Sequence, residues 1–308
     1  MIILLSKLNN LNINNMKKIL FTLMMLAFIA PAFCQEEEQT QPTDKPVKNT
    51  FEAATLIDNQ TVMTPFKGAL ELQIQHRFST IDNIHNLYGI YGSANTRLGL
   101  NYGITDKLMV GIGTTKTNQL VDVQLKYKIL EQTKSNSMPI TVVYAGNINA
   151  NLRDSASGAF GPTNRFKEIH RFSYFSQIII ARKFSDKFSL QLAPTFFYFN
   201  SVPRGYKNAN YSVSAGGRYK VIGSHSVIIE YDQIISKQDS IVDATGKYVD
   251  KLPLPNVSIG WEIGTATHCF QVFVANYDKI NSQYNLLYNT NDFKKKKYLF
   301  GFNITVRF

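Results

Sequence analysis

Apolar and polar residues alternate along many short stretches of this chain. In the stretch QLVDVQLKYKI, Val121, Val123 and Leu125 alternate with Asp122 and Gln124, and the pattern continues to the end of the stretch. A helix would spread the polar residues around its surface, whereas successive side chains of a β-strand point to opposite faces. The alternation therefore predicts a strand with one apolar face and one polar face.

The same pattern recurs along the chain and predicts about twelve strands. They cover residues 70–78, 95–102, 108–112, 121–129, 140–148, 172–180, 188–198, 211–219, 227–231, 257–263, 270–274 and 298–308. No internal apolar run is long enough to cross a membrane as a helix. The chain is therefore predicted to be all-β.

Long and short connections alternate between these strands. The long ones are residues 79–93, 151–169, 201–210, 235–255 and 277–297, and the short ones include GITDK, KFSDKF, VIGSH and GTATH. This alternation is typical of a single transmembrane antiparallel up-and-down β-barrel, with short periplasmic turns and long extracellular loops. An even strand number puts both termini at the short-turn end. We therefore predict an outer-membrane barrel with both termini periplasmic and the long loops extracellular.

A soluble β-sandwich would also show alternating strands. Aromatic residues near strand ends, such as Tyr102, Tyr127 and Tyr219, favour the barrel because they suit the two membrane interfaces. The modest mean hydropathy of -0.14 agrees with a barrel, since only every other residue faces lipid.

The N-terminus has the composition of a secretory signal peptide. Lys17 and Lys18 precede an apolar stretch over residues 19–33, and a cut after Cys34 would release the mature chain. A lipidated Cys34 and a true start at Met16 remain alternatives. Residues 1–34 are thus a predicted signal peptide, which places the protein in a Gram-negative envelope.

The rest of the chain divides into three predicted parts. Residues 35–50 are polar and contain proline, which predicts a disordered periplasmic tether. Residues 51–67 are a mixed segment, expected to pack at the periplasmic end of the barrel. Residues 68–308 form the barrel itself.

The polar faces of the strands carry charges of both signs that would point into the lumen. The candidate lumen residues are Arg77, Arg97, Arg171, Asp122, Asp232, Lys126, Lys128, Arg218 and Glu230. Arg77, Arg97 and Arg171 are expected near the outer rim, where they would attract anions. We predict a narrow or gated porin-like channel for small solutes, anions among them. Alternatively, the charges pair and seal the lumen of a structural, adhesin or partner-docking barrel.

Catalytic and cofactor motifs are not evident in the sequence. His76 and His170 stand beside aromatic residues, without the serine or acid spacing of a membrane-barrel hydrolase. The mature chain keeps only Cys269, which gives neither a disulfide nor a thiolate metal site. We therefore predict no enzyme activity, no cofactor, no metal and no nucleic-acid partner.

Partners are expected at the membrane. The run from Lys294 to Lys297 precedes the last strand and suits the phosphates of lipopolysaccharide and other outer-membrane lipids, while the loop RDSASGAFGPTNRF suits recognition of a partner. The oligomeric state is left open.

Parts of the chain resemble a known family. The stretches IQHRF, NTRLGLNYGITDKLMVGIG and LKYKILEQ are similar to an uncharacterised Bacteroidota outer-membrane β-barrel family, and the similarity extends from about residue 51 to the end. The resemblance implies a barrel but assigns no functional residues. The terminal alternation of Phe302, Ile304, Val306 and Phe308 resembles the C-terminal signal that the barrel-assembly machinery recognises.

Removal of Phe308 tests this assembly signal. If the terminal aromatic residue completes the signal, its deletion lowers the amount of heat-modifiable barrel in outer membranes under native expression. Electrophoresis of unboiled and boiled membrane samples measures that amount. Unchanged levels would show that the last residue is not part of the signal.

Overall fold

The computed structural model describes residues 44–81, 84–160, 163–239 and 252–308. The predicted signal peptide, including Met16 and Cys34, lies outside the described residues. No helix within the described ranges is long and apolar enough to cross a membrane.

The described residues form twelve strands that close into one antiparallel barrel, which confirms the predicted fold and strand number. The strands are β1 Leu70–Thr80, β2 Asn95–Gly103, β3 Leu108–Thr115, β4 Leu120–Leu130, β5 Thr141–Asn151, β6 Phe172–Lys183, β7 Phe188–Phe199, β8 Ala209–Ile222, β9 His225–Ile234, β10 Asn256–Gly264, β11 His268–Ala275 and β12 Leu299–Arg307. One short α-helix, α1 Ser282–Tyr288, lies in the loop between β11 and β12.

Each strand pairs with its sequence neighbours, and β1 closes the barrel against β12. Leu72 is opposite Val306, and Ile74 is opposite Ile304. The Phe308 amide donates to the Leu70 carbonyl at 2.9 Å, so the last residue completes the closing ladder. We call the end with residues 104–107 and 223–224 the short-turn end, and the opposite end the long-loop end.

The barrel is apolar outside and polar inside. Val123 and Val272 are 56% and 61% exposed on the outer face, whereas Gln124 and Gln271 are 5% and 2% exposed on the inner face. A soluble sandwich would bury its apolar faces, so this arrangement excludes it. The outer face is suited to lipid, because the closed antiparallel sheet has no free edge strand.

A hairpin formed by residues 51–63 lies inside the barrel, and we call it the lumen hairpin. Its two arms are joined by the Leu56 amide to the Asn59 carbonyl and the Thr61 amide to the Ala54 carbonyl, both at 2.9 Å. Phe51, Leu56 and Ile57 are at most 1% exposed. The segment was expected at the end of the barrel. It inserts instead because Leu56, Ile57 and Val62 pack with lumen residues in one apolar cluster.

The residues before the lumen hairpin also differ from the sequence expectation. Where the sequence predicts a disordered tether up to residue 50, Pro46 pairs with Thr133 on the connection between β4 and β5. The Val47 amide donates to the Gln132 carbonyl at 2.7 Å. This connection is the longest one at the short-turn end, and its free backbone groups offer an edge to which the arriving chain adds.

Helix α1 fills the lumen from the long-loop end. Its residues Gln283 to Leu287 are all buried. Tyr284, Leu286 and Leu287 form an apolar cluster with Phe175 and Phe197 of the barrel wall. The long loop between β11 and β12 therefore folds inward instead of extending into solvent.

Substitution on the outer face tests the membrane topology. Leu125 lies at the centre of β4 on that face, and Leu125→Arg is expected to destabilise the barrel by about 2–4 kcal/mol. Ile222 lies at the short-turn end of β8, where an arginine is expected to cost only about 0–1 kcal/mol. Urea unfolding in lipid vesicles measures both. Equal costs at the two positions would contradict the assignment of this face to lipid.

Candidate functional site

The tip of the lumen hairpin is held by the carboxylate of Glu230 on β9. The amides of Ile57, Asp58 and Asn59 all donate to this carboxylate, at 2.9, 3.0 and 3.0 Å. Three consecutive backbone N–H groups form a concave anion site, and hydrogen bonds to a charged acceptor are the strong ones. The hydroxyl of Tyr277 donates a fourth bond to Glu230 at 2.9 Å.

Asp232, two residues further along β9, holds the side chain at the tip. The side-chain Nδ2 of Asn59 donates to the Asp232 carboxylate at 2.6 Å, and the side-chain Nδ2 of Asn256 donates to it at 3.1 Å. Glu230 and Asp232 are 3% and 2% exposed. Buried carboxylates are stable only when hydrogen bonds replace their lost hydration, and the hairpin supplies most of those bonds.

Arg77 on β1, four strands from β9 around the barrel, also binds the tip. Its guanidinium donates to the Ile57 carbonyl at 3.0 Å and to the Asn303 side-chain oxygen at 2.9 Å. It also lies over the Phe273 ring, 4.4 Å from the ring centroid. The tip is therefore bound through its amides by an acid and through a carbonyl by a base.

Lys126 holds the arms of the hairpin in the same way. Its ammonium donates to the carbonyls of Ala54, Thr61 and Met63, the last two at 3.0 and 3.2 Å. Lys126 is 1% exposed. All three ammonium donors are thus used by the backbone of the lumen hairpin.

A further group of charges holds the start of the hairpin at the short-turn end. Arg218 donates to Glu262 at 2.6 Å and to Glu52 at 3.2 Å. Arg307 donates to Glu71 at 3.4 Å and also to the carbonyl of Glu52. Burial raises the pKa of Glu52, and the positive charge of Arg218 opposes that rise.

Arg97 forms an ion pair within the wall. Its guanidinium donates two bonds to Asp122, at 3.0 and 2.6 Å. The guanidinium lies over Gly99 and Gly113, where an added Cβ would come within 2.5 and 2.3 Å of it. Glycine at these two positions therefore makes room for the pair to lie flat on the wall.

The remaining sequence-predicted residues lie at the two ends. Lys128 contacts Glu131 at 3.2 Å at the short-turn end. Arg171 lies at the long-loop end, where it donates to Glu168 at 2.7 Å and stacks over Phe160 and Phe166. Arg77, Arg97 and Arg171 are all engaged by protein groups in this structure, and anion attraction by them stays a prediction.

The lumen hairpin and α1 meet at the middle of the barrel. The Ser282 hydroxyl is 3.5 Å from the Asp58 carbonyl, and Gln283 and Asn281 bind Asn147 and Asn149 of β5 at 3.0 and 2.7 Å. The hairpin enters from the short-turn end and α1 from the long-loop end, so the two insertions occupy the lumen from opposite ends.

Burial raises the pKa of Asp58 at the hairpin tip, and the positive charge of Arg77 opposes that rise.

A small cavity lies between the insertions and the wall. One cavity, lined by Gln60, Gln124, Asn147, Phe175 and Ser282 among others, has a volume of about 20 Å³. This is room for about one water molecule. The lumen hairpin and α1 thus both border this cavity, through Gln60 and Ser282.

Sequence reasoning identified the wall residues of the site but not their partners. Ile57, Asp58, Asn59 and Tyr277 were missed. The one signal for the hairpin was the pair Asp58–Asn59 between apolar residues, which is typical of a turn. Within the described residues, no group of three or more His, Cys, Asp or Glu side chains is placed to hold a metal ion.

Comparison with known proteins gives a family match and distant structural likenesses. The family model described as membrane-bound β-barrel domain (DUF5777) matches residues 51–308. No curated protein matches the chain significantly.

The solved structures that resemble the chain include two porins. A KdgM porin has a TM-score of 0.46 at 7% identity, covering 78% of this chain and 99% of that chain. A NanC porin has a TM-score of 0.46 at 10% identity, with 78% and 98% covered. LpxR from Salmonella typhimurium has a TM-score of 0.36 at 10% identity, with 78% and 99% covered. At these values no property of those proteins is carried over.

Substitution of Glu230 tests the hold on the hairpin tip. Glu230→Ala removes a charged acceptor worth about 1.5–3 kcal/mol, so the tip is expected to leave the lumen at least about tenfold more often. Thermolysin cleavage between residues 51 and 63 measures this release. Asp122→Asn is the control, because Asp122 binds Arg97 and no hairpin residue. Equal cleavage rates in Glu230→Ala and wild type would contradict the assigned role.

Proposed function

Because the chain belongs to the family of membrane-bound β-barrel domains, we propose that it is a gated outer-membrane channel, with the lumen hairpin as its gate. The supporting observation is the connection of the hairpin to the barrel. The backbone of the hairpin forms hydrogen bonds with the side chains of Glu230, Arg77 and Lys126, but the hairpin adds no strand to the barrel sheet. The hairpin can leave without breaking any pair of strands.

The positions of its first and last residues favour withdrawal of the lumen hairpin through the short-turn end of the barrel. Glu52 at the start of the hairpin contacts Arg218 near the short turns, and Thr64 at its end contacts the Asp106 carbonyl in a short turn at 3.1 Å. Both arms therefore enter and leave at the short-turn end. The predicted signal peptide and the short turns favour a periplasmic position for this end, and in that orientation the gate opens toward the periplasm.

The lumen walls suit a water-filled passage once the insertions have moved. Their polar side chains would be hydrated along the opened wall, whereas in the closed state the protein backbone takes the place of water. A sealed structural barrel would have no need of a separate chain segment to satisfy Glu230 and Lys126, because acids and bases of the wall could pair directly, as Arg97 and Asp122 do.

The rim of the long-loop end suits contact with anionic lipid. Lys294, Lys295 and Lys296 are exposed just before β12, at the height where lipid phosphates lie when this end faces outward. Lipopolysaccharide is the partner that this position favours, and the assembly machinery is the partner of the C-terminal strand.

Single-channel recording in planar bilayers tests the gate. Wild type is expected to be closed for most of the time. Deletion of residues 51–63 is expected to raise the conductance, although α1 still narrows the passage from the long-loop end. Full-length Glu230→Ala is expected to raise the open-to-closed ratio about tenfold for each 1.4 kcal/mol lost.

Heat-modifiable migration confirms that each recorded variant is a folded barrel. Asp122→Asn serves again as the control that leaves the hairpin contacts intact. Folded variants that conduct no better than wild type would contradict the gate and favour a non-conducting docking barrel.

A further inference from the structure

The charges of the lumen are confined to part of its circumference. The strands β5, β6 and β7 are described in full, and their inward residues are uncharged apart from Lys183, the last residue of β6 at the short-turn end. We call this part of the lumen the neutral wall. Its inward polar residues include Asn147, Asn149, Ser173, Gln177, Gln191 and Thr195.

The lumen hairpin is held unequally by the two sides of the lumen. The charged residues Glu230, Arg77 and Lys126 bind its backbone from β9, β1 and β4. On the neutral wall, the polar contact is one bond of 2.9 Å from Gln191 to the Gln60 carbonyl, beside apolar packing on residues such as Ile179. The neutral wall therefore holds the hairpin mainly through apolar packing, whereas the other side holds it through charged side chains.

Three polar residues form a row that runs from the neutral wall onto the neighbouring strand β8. Gln177 on β6 is paired with Thr195 on β7, and Thr195 is paired with Ser212 on β8. Since neighbouring strands are about 4.8 Å apart, the row is about 10 Å long. The Gln177 amide nitrogen donates to the Thr195 hydroxyl at 2.8 Å.

Some polar atoms of this row form no hydrogen bond with the described residues. Gln177 and Ser212 are 1% and 2% exposed, and the Gln177 side-chain oxygen and the Ser212 hydroxyl have no hydrogen-bond partner among the described residues. The same holds for the side-chain oxygen of Gln191, 3% exposed on the same wall. Buried polar groups without partners are costly, and a bound polar solute would satisfy them.

An aromatic row lies beside the polar row, toward the long-loop end. Phe175 on β6 is paired with Phe197 on β7, two residues from Gln177 and Thr195 along their strands. Both rings pack in the cluster that contains Leu287 of α1. Binding sites for small molecules commonly combine an apolar surface with a few fixed polar groups, and the two rows together have this composition.

From these two rows, and on the basis of the channel proposed above, we propose that the neutral wall binds uncharged, polyhydroxylated solutes such as sugars. Gln177, Thr195 and Ser212 would exchange hydrogen bonds with hydroxyl groups, and Phe175 and Phe197 would cover the apolar side of the solute. An anion on this wall would lose hydration without a cation beside it, because Lys183 at the short-turn end is the one inward charge of β5, β6 and β7.

Glucose and gluconate are six-carbon, polyhydroxylated probes of similar size, of which one is uncharged and the other is an anion. Uptake of both is measured in proteoliposomes with full-length Glu230→Ala, in which the gate is weakened, and with wild type. We expect glucose to enter faster than gluconate in Glu230→Ala. Adding Gln177→Leu and Ser212→Ala to Glu230→Ala is expected to lower the glucose-to-gluconate ratio at least threefold.

Two further variants keep the result interpretable. Thr195→Val replaces the double change if that change impairs folding, because it removes one hydroxyl of the row with almost no change in shape. It is also expected to lower the glucose-to-gluconate ratio. Arg97→Gln combined with Asp122→Asn removes the ion pair of the charged wall and is expected to leave the ratio unchanged.

The outcomes separate this inference from the proposed channel. Gluconate entering faster, or a ratio that depends on Arg97 and not on the row, overturns the neutral-solute inference while the channel stands. Uptake of neither probe by folded Glu230→Ala overturns the channel, and with it this inference. A threefold or larger fall with the row variants supports both.

Discussion

The position of the lumen hairpin depends on one buried carboxylate whose hydration is replaced by hydrogen bonds from backbone amides. Glu230 faces inward from β9, away from water, and needs hydrogen-bond donors in place of its hydration. The amides of residues 57–59 supply them in a tight turn that no single side chain could replace. The same turn presents its Ile57 carbonyl to Arg77. A single short hairpin thus satisfies an acid on β9 and a base on β1, four strands apart.

The constraint behind this arrangement is the membrane. An outer face suited to lipid leaves the interior for polar residues, and a closed twelve-stranded barrel is too wide for its wall side chains alone to fill. Arg97 and Asp122 show the direct solution, an ion pair along the wall. Glu230 and Lys126 show the other solution, in which a segment outside the barrel wall completes the hydrogen bonds. Only the second solution leaves a route through the barrel when that segment moves.

The barrel could be predicted from sequence, whereas its contents could not. The alternation of apolar and polar residues, as around Val123, predicts the strands, and the same alternation in β9 predicts that Glu230 faces inward. Both predictions are possible because this alternation depends only on neighbouring residues in the chain. The partners of Glu230 are backbone amides, which every residue except proline carries, so no residue type in 51–63 indicates them. The pairing of Arg97 with Asp122 needs the register of β2, β3 and β4 and the two glycines between them. The insertion of α1 was missed because a long loop was expected to extend outward.

Hydrogen exchange at the amides of Ile57, Asp58 and Asn59 tests the central claim most directly. In the refolded barrel, these three amides are expected to exchange as slowly as those of neighbouring strands, and to exchange together when the tip leaves Glu230. Mass spectrometry of peptides covering residues 51–63 measures the rate. Exchange at the rate of an unfolded chain would mean that the hairpin does not occupy the lumen, and would contradict the account.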